Sequence, residues 1–120
     1  MPRVVHFEFA VDNPERAGAF YQDVFDWKVQ KWDGPQDYWM LATGEGRGID
    51  GALMRRSEQT PGVVNTVDVS SVDDTAAKVE ASGGKVVVPK MTVPGIGYLA
   101  YCEDTEGNMF GIMQGDPNAN

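Results

Sequence analysis

The N-terminal segment alternates between apolar and polar side chains with a period of two residues. Across Arg3–Val11, Phe7 and Phe9 fall on one side, while His6 and Glu8 fall on the other. Such alternation predicts a β-strand with one buried face.

A helical pattern follows this strand. Asp12 or Asn13 can cap free backbone N–H groups, Pro14 suits the first helical position, and the helix is expected to end near Asp26. The apolar positions at helical spacing are Ala17, Phe20, Tyr21, Val24 and Phe25. Three shorter strands are predicted next, at Trp27–Trp32, Tyr38–Thr43 and Ile49–Arg55.

The second half repeats this order of elements. A strand at Val63–Val69 precedes a helix that begins after Ser71 and is stopped by Gly83 and Gly84. Three strands follow, at Lys85–Pro89, Gly97–Cys102 and Asn108–Gln114. Aligning Val11 with Val69 superimposes the two halves.

The repeat predicts an α+β fold. Two tandem βαβββ modules, at residues 1–56 and 63–115, would form a curved mixed sheet around a cleft. Residues 57–62 would be the linker and residues 116–120 a frayed tail. The segment Pro89–Gly97, rich in glycine and proline, is expected to be a loop, either a lid over the cleft or a plain connector.

Strand alternation selects the side chains that would line the cleft, because they point away from the helices. The predicted lining comprises His6, Glu8, Asp50, Ala52, Thr66, Asp68, Met109, Gly111 and Met113, with Leu99 and Tyr101 as further candidates. Tyr38, Trp39, Tyr98 or Tyr101 could offer a stacking surface for a ligand.

Composition excludes several functions. Of 120 residues, 18 are acidic and 10 basic, and the net charge of −8 speaks against nucleic-acid binding. No apolar run approaches the length of a membrane span, so no membrane association is expected. The N-terminus lacks an apolar signal-peptide stretch, which favours a cytoplasmic location.

The candidate chemistry centres on His6, the single histidine. His6 and Glu8 lie two residues apart on one strand face and could form an acid–base pair, or His6 could be inert. Asp50 and Asp68 could add carboxylates, or could be solvated strand ends. Cys102 is expected to be structural, since the carboxylates of Glu103 and Asp104 beside it raise a thiol pKa.

The order and spacing of these segments resemble the vicinal oxygen chelate superfamily, which includes glyoxalase I, bleomycin-resistance proteins and extradiol dioxygenases. The resemblance is carried by segments from both halves. They are Val5–Asp12, Pro14–Ala17, Phe20–Tyr21, Phe25–Trp27, Val72–Ala77, Gly83–Val86 and Asp104–Asn108.

The resemblance also implies where a divalent metal would bind in members that carry one. Only His6 matches a ligand position. The other positions fall on Val64, on Gly111 and near Gly51 or Ala52, none of which supplies a suitable donor. We therefore expect no metal and no other cofactor.

Three functions remain open. The first is a small-molecule-binding protein, similar to the bleomycin-resistance branch, that takes a small apolar or aromatic ligand. The second is a glyoxalase- or dioxygenase-like enzyme that uses His6 for proton transfer on a carbonyl metabolite. The third is a structural or regulatory dimer with a vestigial cleft. The resemblance implies a homodimer. The candidate ligand contacts are Tyr38, Asp50, Thr66, Asp68, Tyr98, Tyr101, Met109 and Met113.

Overall fold

Two βαβββ repeats make up the chain, as the hydrophobic pattern predicts. A computed structural model describes residues 2–58 and 62–120. The elements of the first repeat are β1 (Arg3–Val11), α1 (Pro14–Phe25), β2 (Lys28–Lys31), β3 (Tyr38–Ala42) and β4 (Gly51–Arg55). Those of the second are β5 (Val63–Asp68), α2 (Val72–Ala81), β6 (Lys85–Val93), β7 (Gly97–Glu103) and β8 (Met109–Gly115).

The described residues form two compact units. The N-terminal unit comprises His6–Val64, and the C-terminal unit comprises Asn65–Asn120 together with the residues up to Val5. The predicted linker, residues 57–62, lies partly outside the described residues. The module limits and the cleft remain predictions.

Local sequence explains where both helices begin. The side chain of Asn13 accepts a hydrogen bond from the backbone N–H of Arg16 at 3.0 Å, ahead of Pro14 at the first helical position. Ser71 Oγ accepts from the N–H of Asp74 at 3.1 Å at the start of α2. Both caps agree with the sequence prediction.

The N-terminal unit has the strand order β2-β3-β4-β1, in which β1 and β4 are parallel and the other neighbours antiparallel. One face of these strands packs with α1. Its core consists of Trp39, Leu41 and Leu53, surrounded by Phe7, Phe9, Val11, Ala17, Tyr21, Trp27 and Val29. His6 and Glu8 therefore lie on the opposite face of β1, as the alternation predicts.

The C-terminal unit has the corresponding order β6-β7-β8-β5, with β5 and β8 parallel. Its core consists of Val69, Val72, Ala100, Cys102 and Ile112, with Val67, Ala76, Val79, Val86, Tyr98 and Phe110 packed around it. Glu8 pairs with Ala52 across β1 and β4, and Thr66 pairs with Gly111 across β5 and β8. Glu8 and Thr66 thus hold equivalent positions in the repeat.

The prediction of a loop at Pro89–Gly97 is wrong for most of that segment. β6 continues to Val93 and pairs with β7, and only residues 94–96 form the turn. Pro89 is tolerated because β6 is the edge strand of its unit's order and its pairing register shifts between Val88 and Met91.

The prediction that residues 116–120 form a frayed tail is also wrong. The backbone N–H of Asp116 donates to the carbonyl of Ile96 at 2.8 Å, and that of Gly95 donates to the carbonyl of Ala119 at 2.9 Å. These bonds satisfy backbone groups of the β6–β7 turn, and Ala119 is buried. Among the residues described, neither helix is long and apolar enough to cross a membrane.

The close packing of Gly51 against Phe7 gives a stability prediction. A Cβ at position 51 would lie 2.5 Å from the Phe7 ring, so we expect Gly51→Ala to lower the free energy of unfolding by about 1–3 kcal/mol. Gly115→Ala is the control, because no atom lies within 4 Å of its added Cβ. Chemical denaturation measures both. Equal stability of the two variants would contradict the register of β1 against β4.

Candidate functional site

A chain of three polar side chains crosses the N-terminal unit on the face away from α1. His6 Nε2 lies 2.7 Å from the Tyr38 hydroxyl oxygen, and the Tyr38 hydroxyl donates to Glu8 Oε2 at 2.6 Å. His6 Nε2 and Glu8 Oε2 are 3.9 Å apart, so Tyr38 bridges them. We call this arrangement the His6–Tyr38–Glu8 chain.

Strand register brings these residues together. Glu8 lies opposite Ala52 on β4, and Ala52 lies opposite Met40 on β3, two residues from Tyr38. Residues two apart on a strand share a face. The helix-distal face of this unit therefore carries His6, Glu8, Tyr38, Met40, Ala52 and Met54.

Burial makes the hydrogen bond to Glu8 important. The Glu8 residue is only 4% exposed, and a buried carboxylate is costly unless it receives hydrogen bonds. Tyr38 supplies one of them. The His6 side chain is 28% exposed and so remains accessible at the surface of the chain.

The bond directions define the state of the imidazole. Tyr38 has a single hydroxyl proton, and it is donated to the Glu8 carboxylate. The Tyr38 oxygen must then accept the 2.7 Å bond, so the proton of neutral His6 resides on Nε2. Nδ1 is left with its lone pair.

The electrostatic surroundings favour neutral His6. Burial lowers the pKa of His6 below its ordinary value, and the carboxylates of Glu8 and Asp50 oppose this shift without cancelling it. Asp50 is held nearby because its Oδ1 accepts bonds from the backbone N–H of Thr43 at 2.9 Å and from Thr43 Oγ1 at 3.2 Å. Asp50 therefore acts on His6 through its charge.

Trp32 packs against Tyr38 of the His6–Tyr38–Glu8 chain, a contact that the sequence analysis did not predict. Its ring meets Tyr38 edge-on with the ring centroids 5.9 Å apart, and its backbone N–H donates to the Tyr38 carbonyl at 2.7 Å. A Cβ on Gly34 would overlap the Trp32 ring, so glycine is required there for Trp32 to lie as it does. The sequence pattern predicted only the end of a strand at Trp32, followed by the turn Asp33-Gly34-Pro35.

The other predicted ligand contacts belong to the C-terminal unit. Register places Thr66, Tyr101 and Met113 on one face together with Gly111. Asp68 is exposed, and Met109 is half-buried on the same face by alternation. Tyr98 differs, since it packs against the core on the opposite face and donates its hydroxyl to Asp116 at 3.2 Å.

The residues at the metal positions implied by the family do not fit a divalent ion. Val64 and Gly111 carry no donor, and Gly51 faces the Phe7 ring. A glutamate at position 111 would also meet Thr66, whose Oγ1 lies 2.8 Å from the place of a Cβ there. Across residues 2–58 and 62–120, no group of three or more His, Cys, Asp or Glu side chains is arranged to hold a metal.

Cys102 is a core residue. It is fully buried, and burial raises the pKa of its thiol, with a smaller contribution from Glu80. The sequence interpretation was right about its structural role, but it attributed the raised pKa to Glu103 and Asp104.

The His6 environment predicts its titration. We expect the imidazole of the folded protein to titrate below 6.5, its ordinary value, as followed by NMR of the single histidine. Glu8→Gln removes the largest opposing charge and should lower the pKa further, and Asp50→Asn should lower it by less.

The same shift makes stability depend on pH. Between the folded pKa of His6 and 6.5, the unfolded chain binds more protons, so this contribution to stability falls as the pH is lowered through that window. A His6 midpoint at or above 6.5 would contradict the burial of the imidazole.

Comparisons with known proteins agree with this architecture. The family model for the Glyoxalase/Bleomycin resistance protein/Dioxygenase superfamily matches residues 3–112. Two proteins named "Putative glyoxylase CFP32", from Mycobacterium bovis and Mycobacterium tuberculosis, are each 29% identical over 116 residues. The match covers 92% of this chain and 43% of each relative, so the chain spans less than half their length.

Solved structures share the fold. A hypothetical protein from Bacillus halodurans C-125 superimposes with a TM-score of 0.74 at 16% identity, covering 99% of this chain and 98% of that one. Methylmalonyl-CoA epimerase from Mycobacterium tuberculosis gives 0.73 at 16% identity, covering 95% and 88%. These likenesses confirm the predicted fold class. Since the family model spans both repeats, the chain belongs to the Glyoxalase/Bleomycin resistance protein/Dioxygenase superfamily.

Proposed function

We propose that the chain is a small-molecule-binding protein of this superfamily that works without a metal centre. The ligand is a small apolar or aromatic molecule, and the His6–Tyr38–Glu8 chain anchors its polar group. The observation that carries the proposal is the buried carboxylate of Glu8, held by Tyr38 beside a partly exposed imidazole. A carboxylate buried in this way is costly, and its placement beside an accessible imidazole is typical of a binding or catalytic site.

The surroundings of the anchor support an apolar ligand. Met40 and Met54 share the helix-distal face with it, and Met40 is 43% exposed while Met54 is half-buried. Methionine side chains adapt their shape to bound apolar groups. The Tyr38 and Trp32 rings add flat surfaces for an aromatic ligand.

A ligand screen by thermal shift tests the proposal. A compound that binds only the folded state raises stability by about 2.7 kcal/mol at roughly a hundred times its Kd. We expect aromatic or dicarbonyl compounds to raise Tm, and Tyr38→Phe to reduce the shift. Tyr98→Phe is the matched control, because its hydroxyl bonds Asp116 in the C-terminal unit.

Metal analysis of the same protein, purified without chelator, distinguishes ligand binding through a metal ion from ligand binding through side chains alone. The proposal predicts no stoichiometric nickel, zinc, iron or manganese and a ligand shift that survives chelator. One metal ion per chain, or no shift from any compound class, would contradict it.

Proton transfer is a second candidate function, and the free lone pair of His6 Nδ1 favours it. In such a reaction a C–H bond next to a carbonyl breaks, its proton goes to Nδ1 and its electron pair forms the enolate. As Nδ1 gains the proton, the Nε2 proton passes to Tyr38, whose own proton passes to Glu8 Oε2. Return of a proton to the carbon completes the cycle.

Exchange of carbon-bound hydrogen with deuterium oxide tests this second function. We expect the protein to speed exchange into 2,4-pentanedione, and His6→Ala to abolish the acceleration while Tyr98→Phe retains it. NMR of the diketone follows the rate. Equal rates for the wild type and His6→Ala would leave binding as the only function of the site.

The homodimer expected from the resemblance also remains a proposal. Three large apolar side chains of α1 are more than half exposed in the isolated chain, which is consistent with a covered surface. They are Phe20, Val24 and Phe25.

A further inference from the structure

The His6–Tyr38–Glu8 chain has a direction. Its two protons both point toward Glu8: the Nε2 proton is donated to the Tyr38 oxygen, and the Tyr38 proton is donated to Glu8 Oε2. Neutral imidazole has one N–H and a phenol has one O–H, so both donors are used within the chain. The other ring nitrogen, Nδ1, carries no proton in this tautomer and can only accept, and the His6 side chain is 28% exposed.

We propose that this site selects ligands with a neutral hydroxyl group that can donate a hydrogen bond, namely compounds of the phenol or enol type. Tyr38 is the positioning residue for this selection, because it fixes the tautomer of His6. The inference rests on the proposed binding function and names its ligand class. The ligand hydroxyl donates to His6 Nδ1, and its ring or carbon skeleton covers the apolar part of the helix-distal face.

Anionic ligands are disfavoured at the same place. A carboxylate or phosphate bound here would face the acceptor nitrogen of His6 and the charges of Glu8 and Asp50. The His6–Tyr38–Glu8 chain would give it no hydrogen-bond donor to compensate for its lost hydration. The negative charges of both residues also oppose an anion through space. Selection against anions thus follows from the same bond directions as selection for hydroxyls.

Ammonium ligands could donate to Nδ1 and would be attracted by the charges of Glu8 and Asp50, but an ammonium group loses much hydration against the apolar side chains beside the site. Met40 and Met54 offer no acceptor side chain for the remaining ammonium protons, and the Glu8 carboxylate is buried and bonded to Tyr38. A neutral hydroxyl needs a single acceptor and loses less hydration. The hydroxyl class is therefore the one that fits.

The tautomer of His6 is the first test, and it needs no ligand. Because the chain has one histidine, the two imidazole nitrogens can be observed directly by NMR after labelling with nitrogen-15. We expect the proton on Nε2 in the wild type at a pH where His6 is neutral, and a mixture of tautomers in Tyr38→Phe. Tyr98→Phe should keep the wild-type tautomer. A proton on Nδ1 in the wild type would overturn the inference, even if Tyr38→Phe failed to fold.

The second test compares four probes that share a 4-methylphenyl group and differ in the polar group attached to it. They are 4-methylphenol, 4-methylanisole, 4-methylbenzoate and 4-methylbenzylammonium. We expect the phenol to bind about tenfold more tightly than the anisole, since the methyl ether cannot donate and leaves Nδ1 unpaired. The benzoate and the ammonium should bind more weakly than the phenol, and Tyr38→Phe should reduce the preference for the phenol over the anisole.

The outcomes separate this inference from the proposed function. Binding of the anisole, the benzoate or the ammonium as tightly as the phenol would overturn the hydroxyl preference while leaving a binding protein. Failure of all four probes, together with no thermal shift from any compound class, would overturn both.

Discussion

The burial of the Glu8 carboxylate is the constraint on which the helix-distal face of the N-terminal unit depends. A carboxylate at 4% exposure must be given hydrogen bonds, and Tyr38 gives one at 2.6 Å. Because the Tyr38 hydroxyl donates its one proton to Glu8, the Tyr38 oxygen can only accept in its bond with His6 Nε2. The orientation and tautomer of the half-buried His6 thus follow from the buried hydrogen bond between Tyr38 and Glu8.

The two repeats share one architecture but carry different side chains at the positions of His6 and Glu8. Glu8 and Thr66 occupy equivalent positions, opposite Ala52 and Gly111. In the second repeat a neutral hydroxyl replaces the carboxylate, and valine at position 64 replaces the histidine. Thr66 also fills the space beside Gly111, where related metal proteins are expected to carry a ligand. The polar chain of the N-terminal unit therefore has no counterpart at these positions of the repeat.

Local patterns were sufficient to predict the order of the elements and the faces of β1. Alternation in β1 placed Phe7 with the core and Glu8 opposite it, and the caps at Asn13 and Ser71 marked the helix starts. The bridge through Tyr38 could not be predicted, because it depends on the register of β1, β4 and β3 across 30 residues of sequence. The pairing of residues 91–93 with β7 and the bond of Asp116 to the β6–β7 turn could not be predicted from local patterns either.

The central claim is that two protons run in one direction, from His6 through Tyr38 to Glu8. Neutron diffraction from crystals grown in deuterium oxide locates those protons directly. The account predicts deuterium on His6 Nε2 aimed at the Tyr38 oxygen, and the Tyr38 hydroxyl deuterium aimed at Glu8 Oε2. A deuterium on Nδ1 with the Tyr38 hydroxyl turned toward Nε2 would contradict it.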